Sequence, residues 1–341
     1  MKPPARITDV ARLAAVSTAT VDRVLNQRTG VRPITVQRVL KAAAELAYLP
    51  VDDLHKLKAS KRLHVVFLLP VSNKFVRMLG DTVSYSKEHW APFNVKCQVV
   101  WIESFNPEVL ARSLLRYGKR ADGIAFMALE HPAVREAVQL LADRCVATVT
   151  LVSDLSNSRR DAYVGLDNRA AGRTAAYLIG RFIGPKPAKV ALIAGSRSYR
   201  AHGERESGFL HLIEEMFPAI EVVGLREGQD DIEKNYRQAR ALLKQHPELA
   251  GIYNIGGAHD GVARALKEAG RQHHVVYIGH GLSSDTRALL IDGSMDAVIT
   301  QNPQAAIFSC VRIFTNLRDR RDVLSGVETP RSQVIFRENL P

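Results

Sequence analysis

Side chains that could contact a nucleic acid are concentrated near the start of the chain. Residues 6–26 read as a short helix, a tight turn and a second helix, with hydroxyl residues where each helix begins. Thr8 is placed to cap the first helix, and Ser17 or Thr18 begins the second. The second helix has the length and polarity to lie in a DNA major groove. The spacing therefore predicts a helix-turn-helix unit that reads DNA.

Apolar residues at helical spacing predict a three-helix head within residues 1–50. We expect its core to contain Val10, Leu13, Ala14, Val21, Val24, Leu25, Val36, Val39, Leu40, Ala43 and Leu46. Pro33 fits the first turn of the third helix, where its missing N–H costs nothing. Residues 51–62 form a polar hinge with too few apolar residues to fold alone, so it could become ordered only on DNA.

The charge of the head favours a polyanionic partner. The 341-residue chain carries a formal net charge of +12. Residues 1–62 contain 5 Lys and 7 Arg against 5 acidic residues, so 12 − 5 = +7 lies in under a fifth of the chain. Phosphate contacts supply much of nucleic-acid affinity. Basic charge alone could serve solubility, and its position on a helix-turn-helix pattern is what favours DNA.

From residue 63 onward, β-rich apolar runs alternate with amphipathic helical stretches. The predicted strands are 64–70, 95–102, 122–129, 146–152, 189–194, 221–225, 250–255, 274–279 and 296–301. The predicted helices include 106–119, 169–183, 204–216, 234–245 and 259–269. This alternation predicts an α/β body with helices on both faces of parallel sheets, and about 280 residues suit two sheets better than one. Ligands in such folds bind at the carboxyl ends of the strands.

Cysteine usage and hydropathy exclude several classes of protein. Cys97, Cys145 and Cys310 are widely spaced and odd in number, which is typical of reduced core thiols in the cytoplasm. No pair has the spacing of zinc ligands, and neither a metal nor a cofactor is predicted. The N-terminus lacks the apolar region of a signal peptide, and no run approaches about 18 apolar residues. We therefore expect a soluble cytoplasmic protein.

Several motifs carry a resemblance to one family. In the head they are Ile7-Thr8-Asp9-Val10-Ala11, Val16-Ser17, Val21-Asp22-Arg23-Val24-Leu25-Asn26 and Ala47-Tyr48-Leu49-Pro50. In the body they are segments 165–172, 265–270 and 300–303. With these motifs the chain resembles the lactose-repressor (LacI) family of bacterial transcription regulators along essentially its whole length. The body segments are also similar to periplasmic sugar-binding proteins.

The resemblance implies a homodimer, possibly assembled into a tetramer, that binds a palindromic operator. It implies a helix-turn-helix head at 1–50, a hinge at 51–62 and an effector-binding and dimerisation domain at 63–341. That body would resemble a periplasmic binding protein, with two doubly wound parallel-sheet subdomains, three crossovers and an effector in the cleft. We expect the N-subdomain at 63–162 and 293–322, and the C-subdomain at 163–292 and 323–341.

The resemblance also implies roles on the DNA side. Thr18 and Ala19 would face base edges at the start of the recognition helix, which Ser17 opens. Arg23 would donate two hydrogen bonds to guanine, or would lie in solvent or on a phosphate. The residues expected to hold phosphates are Thr8, Thr20 and Asn26. Leu57 would wedge into a minor-groove step or pack as an ordinary hinge leucine.

Two acidic positions depart from the family pattern on this DNA side. Asp22 stands where the family usually has serine, and Asp52-Asp53 adds negative charge to the hinge. Since carboxylates near phosphates are repulsive, we expect this protein to differ from its relatives most in operator choice and affinity at these points.

Polar residues at the ends of predicted strands suggest how a sugar or polyol would be held. Such a ligand needs paired hydrogen-bond donors and acceptors, plus a ring for stacking. The candidates are Phe75, Asp154, Arg205, Asn254, His280 and Gln301. Arg205 stands three residues before Gly208-Phe209, as a cleft arginine does in the family. His280 stands where the family typically has an aspartate nearby, which makes a polyol or a sugar acid a plausible effector.

Each effector candidate has an ordinary structural alternative. Asp154 could cap a turn, and Phe75 could belong to the core. Arg205 could pair with Glu204 or Glu206 instead of a ligand. Several polar residues that converge at strand ends nevertheless make a stronger case for a binding site than any one of them alone.

The sequence thus favours a DNA-binding regulator, a repressor whose operator affinity responds to a sugar, polyol or sugar acid. Whether the effector releases or strengthens DNA binding stays open. An enzyme is disfavoured because Gly279-His280-Gly281 lacks the third glycine of a dinucleotide fingerprint, and Ser284 stands there instead. No Gly-x-Ser-x-Gly elbow occurs. A transport-type sugar receptor fits poorly with the basic head and the missing signal peptide.

Overall fold

The computed structural model describes residues 5–25, 30–46, 48, 62–71, 73–86, 90 and 94–341. Two of the predicted DNA contacts, Asn26 and Leu57, lie outside the described residues, as does nearly all of the predicted hinge at 51–62. Within the described part of the chain, no helix combines the length and apolar character needed to cross a membrane.

The head contains three helices, α1 (Ile7–Leu13), α2 (Thr18–Leu25) and α3 (Pro33–Glu45). Arg6 is the N-cap of α1, and its backbone N–H donates to the carboxylate of Asp9 over 2.9 Å. The prediction that Thr8 caps α1 is therefore wrong, because Thr8 already lies inside the helix. A carboxylate three residues after the cap satisfies the N–H of the N-cap residue, as the third helical residue does in a capping box.

The core of the head matches most of the predicted apolar face. The fully buried members are Val10, Ala11, Ala14, Val21, Val24, Val39, Ala42 and Ala43. Leu13 is 50% exposed, so its predicted place in the core is wrong. Ala11 is buried instead, next to Val10 and Ala14 on the inner face of α1, and a tight turn at Ala15 (φ 51°) follows. Val16 N–H donates to the carbonyl of Ala11 and closes this turn.

The first α/β layer of the body has five parallel strands, and the order in the sheet is β2-β1-β3-β4-β5. Its strands are β1 (Leu63–Pro70), β2 (Val95–Ile102), β3 (Gly123–Phe126), β4 (Ala147–Leu151) and β5 (Ala162–Val164). Its helices are α4 (Lys74–Tyr85), α5 (Pro107–Tyr117) and α6 (Pro132–Asp143). The central strand β1 is almost wholly buried, as expected when helices cover both faces of a sheet.

The second layer has six strands, in the order β11-β10-β9-β8-β6-β7. Its strands are β6 (Ala188–Ala194), β7 (Ile220–Glu227), β8 (Leu249–Asn254), β9 (Val276–His280), β10 (Ala297–Thr300) and β11 (Gln333–Ile335). Its helices are α7 (Asn168–Ile183), α8 (Arg200–Met216), α9 (Ile232–Gln245), α10 (His259–Glu268) and α11 (Ser284–Ile291). Only β11 runs antiparallel to its neighbour.

The boundary predicted at residue 293 is wrong for β10. This strand pairs with β9 and β11, so it belongs to the second sheet, whereas the N-subdomain had been expected to include it. The next helix, α12 (Pro303–Arg318), places Ile307, Cys310 and Phe314 in the core of the first layer. The chain thus crosses after β5, between β10 and α12, and again before β11. All three crossovers lie near the carboxyl ends of the parallel strands, since β11 begins opposite the end of β10.

Two of the three cysteines are core residues, as predicted. Cys97 and Cys310 are buried, and burial raises the pKa of the Cys97 thiol to about 12. Cys145 is exposed after α6 in a left-handed conformation (φ 57°), so its predicted place in the core is wrong. The described cysteines are all free thiols.

Candidate functional site

The turn before α2 is held by a local hydroxyl cap. The backbone N–H of Thr20 donates to Ser17 Oγ over 3.2 Å, and the two hydroxyl oxygens lie 2.8 Å apart. This geometry satisfies one of the free N–H groups at the start of the helix. Ser17 therefore begins α2 as the sequence predicted, and Thr20 is engaged in the cap.

The outer face of α2 presents the residues expected to reach DNA. Thr18, Ala19 and Arg23 are exposed, whereas Val21 and Val24 of the same helix are buried against the head core. Thr8 is exposed on α1. An amphipathic helix with its polar face in solvent is the geometry in which recognition helices enter the major groove. The structure contains no DNA, so the contacts themselves stay predictions.

A small, partly open cavity lies between the carboxyl ends of the two sheets. It has a volume of about 50 Å³. The first layer contributes one wall, which includes Asn73, Lys74, Phe75, Met127 and Val152. The second layer contributes the other wall, with His202, Arg205, His259, His280, Asp285 and Gln301. Four of the six predicted effector residues line this cavity. They are Phe75, Arg205, His280 and Gln301.

Arg205 reaches the cavity from α8 and is 7% exposed. Its Nε donates to Asn168 Oδ1 over 2.8 Å, and its Nη1 donates to the carbonyl of Ile255 over 2.9 Å. Burial lowers the pKa of the guanidinium from its usual value. Since an arginine side chain starts above pH 12, it stays charged at neutral pH.

The predicted alternative for Arg205, an ion pair with a neighbouring glutamate, does not form. Glu204 pairs with Arg200 over 2.7 Å, and Glu206 pairs with Arg197. Close helix packing sets the position of Arg205, because its carbonyl oxygen lies 2.0 Å from the place where a Cβ on Gly172 would stand.

His280 ends β9, and one of its two ring nitrogens has no hydrogen-bond partner among the described residues. Its Nε2 lies 2.7 Å from the hydroxyl of Tyr253, and its Nδ1 is buried without a partner among the described residues. Burial lowers the pKa of His280 well below its usual value, so the ring is neutral near pH 7. If the Tyr253 hydroxyl donates to Nε2, the tautomer that satisfies both groups carries its proton on Nδ1.

Asn254 supports the cavity instead of lining it, contrary to its predicted contact with a ligand. Its side-chain amide donates to the carbonyl of Gly257 over 3.0 Å and lies 3.0 Å from His259 Nδ1. His259 Nε2 in turn lies 2.8 Å from the carbonyl of His280, to which it donates. This chain of bonds holds the loop after β8 against the end of β9. Asn254 thus acts on the cavity through its neighbours.

Asp154 lies outside the cavity, so its predicted role there is wrong. Its carboxylate binds the guanidinium of Arg160 through both oxygens and accepts from Thr150 Oγ1 over 2.6 Å. Burial would raise the pKa of Asp154, but the hydrogen bonds from Arg160 and Thr150 outweigh it and hold the pKa below its usual value. Arg160, six residues away, therefore binds the carboxylate that we expected to face the cleft.

The remaining two predicted residues sit on opposite walls. Gln301 is 4% exposed after β10, and its Oε1 has no partner among the described residues. Phe75 is partly buried on the first wall and faces Gly281, where an added Cβ would lie 3.0 Å from the Cβ of Phe75. Gly281 has φ 79°, so glycine suits both the backbone and the close approach.

Polar contacts bridge the two walls at the mouth of the cavity. Asn73 Nδ2 donates to Asp230 Oδ2 over 2.9 Å, while the N–H of Gly257 donates to Asp230 Oδ1 over 2.7 Å. Lys74 Nζ lies 3.4 Å from Asp260 and 3.8 Å from Asp285. We call Asn73 and Lys74, with these three acids, the mouth bridge. These contacts join the two layers beside the cavity in this conformation.

Sequence reasoning missed most of the mouth bridge and two buried histidines, His202 and His259. Asp230 follows β7 in a left-handed conformation (φ 51°), and its position after a strand was the only available signal. His202 lies in the first turn of α8, where burial lowers its pKa to about 4. Nothing in the local sequence distinguishes it from an exposed histidine.

Comparisons with known proteins agree with both halves of this architecture. Residues 6–51 match the family model for bacterial regulatory proteins of the lacI family, and residues 88–321 match a periplasmic binding protein domain. The chain is 26% identical over 258 residues to the transcriptional regulator MalR of Streptococcus pneumoniae serotype 4, covering 73% of this chain and 75% of MalR.

One further relative and one solved structure extend this comparison. The transcriptional repressor PurR of Erwinia tasmaniensis is 28% identical over 265 residues, which cover 73% of this chain and 71% of PurR. A solved structure of GanP, a glucose-galactose binding protein from Geobacillus stearothermophilus, superposes with a TM-score of 0.75 at 24% identity, covering 82% of this chain and 99% of GanP. At this identity the solved structure supports the fold alone.

A helix-turn-helix head joined to a periplasmic-binding-protein body defines a DNA-binding transcriptional regulator with an effector-binding domain. The head belongs to the lacI family of bacterial regulatory proteins, and the body, which spans more than half of the chain, belongs to the periplasmic binding protein domain family. The relatives named here are regulators and a binding protein rather than enzymes.

Proposed function

We propose that this protein represses transcription from a palindromic operator and that a sugar, polyol or sugar acid in the cavity controls its operator affinity. The observation that carries the proposal is the polar cavity between the two layers. His280 and Gln301 line it, and His280 Nδ1 and Gln301 Oε1 have no partner among the described residues. Buried polar atoms are normally paired, so a hydroxyl-rich ligand would supply partners for both.

On the DNA side, Thr18, Ala19 and Arg23 contact base edges in this proposal. Thr8, Thr20 and Asn26 hold phosphates, and Leu57 enters a minor-groove step. The exposed face of α2 supports the first set. Because DNA is the partner, we place the protein in the bacterial cytoplasm.

The switch in this proposal is the angle between the two layers. The mouth bridge joins the layers only when the cavity is closed, since Asn73 and Lys74 belong to one layer and their acidic partners to the other. An effector that binds both walls favours the closed state. It changes operator affinity only to the extent that the two states bind DNA differently.

We also propose that the protein acts as a homodimer. A single head reads one half-site, and two heads related by a twofold axis read a palindrome. Large apolar side chains are exposed beside the edge strand β2, namely Val71 (56%), Tyr85 (83%) and Trp101 (44%). Sedimentation velocity of wild type and Tyr85→Asp would test whether this edge holds the dimer, since only the variant should sediment as a monomer.

The DNA proposal is tested by operator selection followed by gel retardation. Arg23→Ala should weaken selected-operator binding about tenfold to a hundredfold, because one bidentate contact to guanine contributes about 1–3 kcal/mol. Arg38→Ala is the matched control, since Arg38 is an exposed arginine on α3 with no predicted base contact. Equal losses in both variants, for operator and random DNA alike, would contradict the role of Arg23.

The effector proposal is tested by a thermal-shift screen of sugars, polyols and sugar acids against the full chain, because a ligand that binds the folded state raises the melting temperature. Hits are then added to the gel-retardation assay. Arg205→Ala should abolish the response to the effector while operator DNA is still retarded. Loss of both responses would show that Arg205 is needed only for folding.

A further inference from the structure

Arg205 is a buried cation without an ion-pair partner. Both of its described hydrogen bonds go to neutral oxygens, Asn168 Oδ1 and the carbonyl of Ile255. Among the residues that the structure describes, no carboxylate oxygen lies within 4.0 Å of its guanidinium. A charge withdrawn from water without a counter-ion costs free energy, and an anionic ligand group beside it would offset part of that cost.

The carboxylates that act on Arg205 electrostatically already have other partners. Asp230 and Glu204 both favour the charged form of Arg205 from a distance. Both oxygens of Asp230 accept hydrogen bonds, from Asn73 and from the N–H of Gly257, and Glu204 pairs with Arg200. Neither acid is therefore placed to neutralise Arg205 directly.

The other groups at this end of the cavity are neutral or donating. His280 offers its Nδ1, which carries the proton if the Tyr253 hydroxyl donates to Nε2. Asp285 lines the cavity, but its carboxylate accepts from Ser283 and lies beside Lys74 at the mouth. The permanently positive Arg205 and the imidazole of His280 thus both line the cavity, and neither has an anionic partner among the described residues.

We propose that the effector carries an acidic oxygen group, a carboxylate or a phosphate, that pairs with Arg205 and accepts a hydrogen bond from His280 Nδ1. This inference rests on the proposed function, because it concerns the ligand of the same cavity. The hydroxyl groups of the effector then face Gln301, whose Oε1 is an unpaired acceptor. Charge-assisted bonds to arginine are shorter and stronger than bonds to neutral hydroxyls, so the acidic group anchors the ligand.

The size of the cavity limits the effector further. The cavity, of about 50 Å³, holds roughly three to five water molecules by the measure of one probe sphere per water. A short hydroxy acid or a sugar acid is closer to this size than a nucleotide is. Carboxylate and phosphate share the required chemistry, and the experiment separates them.

The test compares matched ligands on the full chain by calorimetry and thermal shift at constant ionic strength. The pairs are D-gluconate with D-glucitol, D-ribonate with ribitol, and D-ribose 5-phosphate with D-ribose. At least one acid should bind tenfold or more tightly than its neutral partner. The first two pairs report a carboxylate, and the third reports a phosphate. If no acid binds more tightly than its neutral partner, the inference is overturned.

Two substitutions locate the effect at Arg205. Arg205→Gln should reduce the preference for the acid to less than twofold. Because this variant could fold poorly, His280→Asp provides a second readout by placing a carboxylate beside Arg205, and it should reverse the preference towards the neutral partner. His280→Asn is the matched control without the charge and should keep the preference. An acid preference that survives in both Arg205→Gln and His280→Asp overturns the inference.

The outcome also separates this inference from the proposed function. A neutral sugar that binds more tightly than its acid and shifts operator affinity leaves the regulator intact and overturns the anionic anchor. An acid that binds through Arg205 supports the anchor, even if operator affinity does not change. In that second case the proposed switch fails instead.

Discussion

The two walls of the effector cavity are built differently. The second wall places Arg205 and His280 on rigid elements, where helix packing and buried hydrogen bonds hold both side chains. The first wall offers Asn73 and Lys74 from the start of α4, together with the apolar side chains of Met127 and Val152. The difference suggests that the ligand is recognised by the second wall, and that the first wall closes over it through the mouth bridge.

Forcing apart the two helices that support the second wall should have the largest effect on stability and effector binding. In Gly172→Ala the new Cβ would stand 2.0 Å from the carbonyl oxygen of Arg205, so α7 and α8 must separate. We expect the free energy of unfolding to fall by about 1–3 kcal/mol, as overpacking does elsewhere, and effector binding to be lost. Urea unfolding and calorimetry measure both quantities.

Gly203→Ala is the control for this substitution. Gly203 lies in α8 with nothing within 4 Å of its added Cβ, so alanine should stabilise the helix by up to about 1 kcal/mol. Equal destabilisation by the two substitutions would mean that the close helix contact does not position Arg205.

Lowering the pH should destabilise the second wall before it destabilises the first wall. Burial lowers the pKa values of His202, His259 and His280, whereas the first-wall residues that line the cavity include no histidine. A lowered folded-state pKa means that the unfolded chain takes up protons first. Stability is therefore complete above about pH 6.5 and declines as pH falls, by up to about 1.4 kcal/mol per pH unit for each histidine.

Segment-resolved hydrogen exchange at pH 7.5 and 5.5 measures this difference. Protection should fall more in α8, α10 and β9 than in the elements of the first layer. His202→Gln should reduce the pH dependence of unfolding. A slope that is the same in this variant and in wild type would show that His202 is not held neutral by burial.

A like charge placed in the mouth bridge should open the cavity. Asn73→Asp keeps the cap of α4, because Asn73 Oδ1 accepts from Val76 N–H over 3.0 Å and aspartate caps equally well. It also sets a carboxylate 2.9 Å from Asp230 in place of the donating amide. We expect about tenfold weaker effector binding, which corresponds to about 1.4 kcal/mol.

Asn302→Asp is matched to this change, since Asn302 caps α12 in the same manner and is exposed. Its effector affinity should match wild type when both proteins are measured by the same calorimetric titration. If Asn73→Asp also binds as wild type does, the contact with Asp230 does not contribute to closure.

Loss of the Lys74 contacts should have the smallest effect. Lys74 is 48% exposed, and exposed ion pairs contribute about 0.2–1 kcal/mol. Lys74→Met should weaken effector binding about twofold to fivefold, with a smaller difference at high salt. Lys189→Met removes an ion pair with Glu248 inside the second layer and should not change effector affinity. A tenfold loss for Lys74→Met would make the first wall a recognition surface.

Local patterns predicted most of the secondary structure. All nine predicted strands are present, since each is an apolar run long enough to show its period. The two strands that were missed, β5 and β11, have only three residues each. Three residues contain too little alternation to distinguish a strand from a loop.

The candidate site was only partly predictable because strand ends are local features, whereas side-chain partners are not. Asp154 follows a strand as expected, yet Arg160 holds it outside the cavity. Asn254 also follows a strand, and it binds the neighbouring loop. Arg205 and His280 reach the cavity because their own surroundings leave donors free to face it.

The sequence by itself determined the class of protein, the basic head and the alternation of strands and helices. Motif, charge and periodicity are properties of neighbouring residues, so they can be read along the chain. Only the tertiary structure decided that β10 joins the second sheet, that Asp230 bridges the walls and that Arg205 lacks a counter-ion. These features depend on which distant groups meet after burial, and burial removes the water that would otherwise satisfy them.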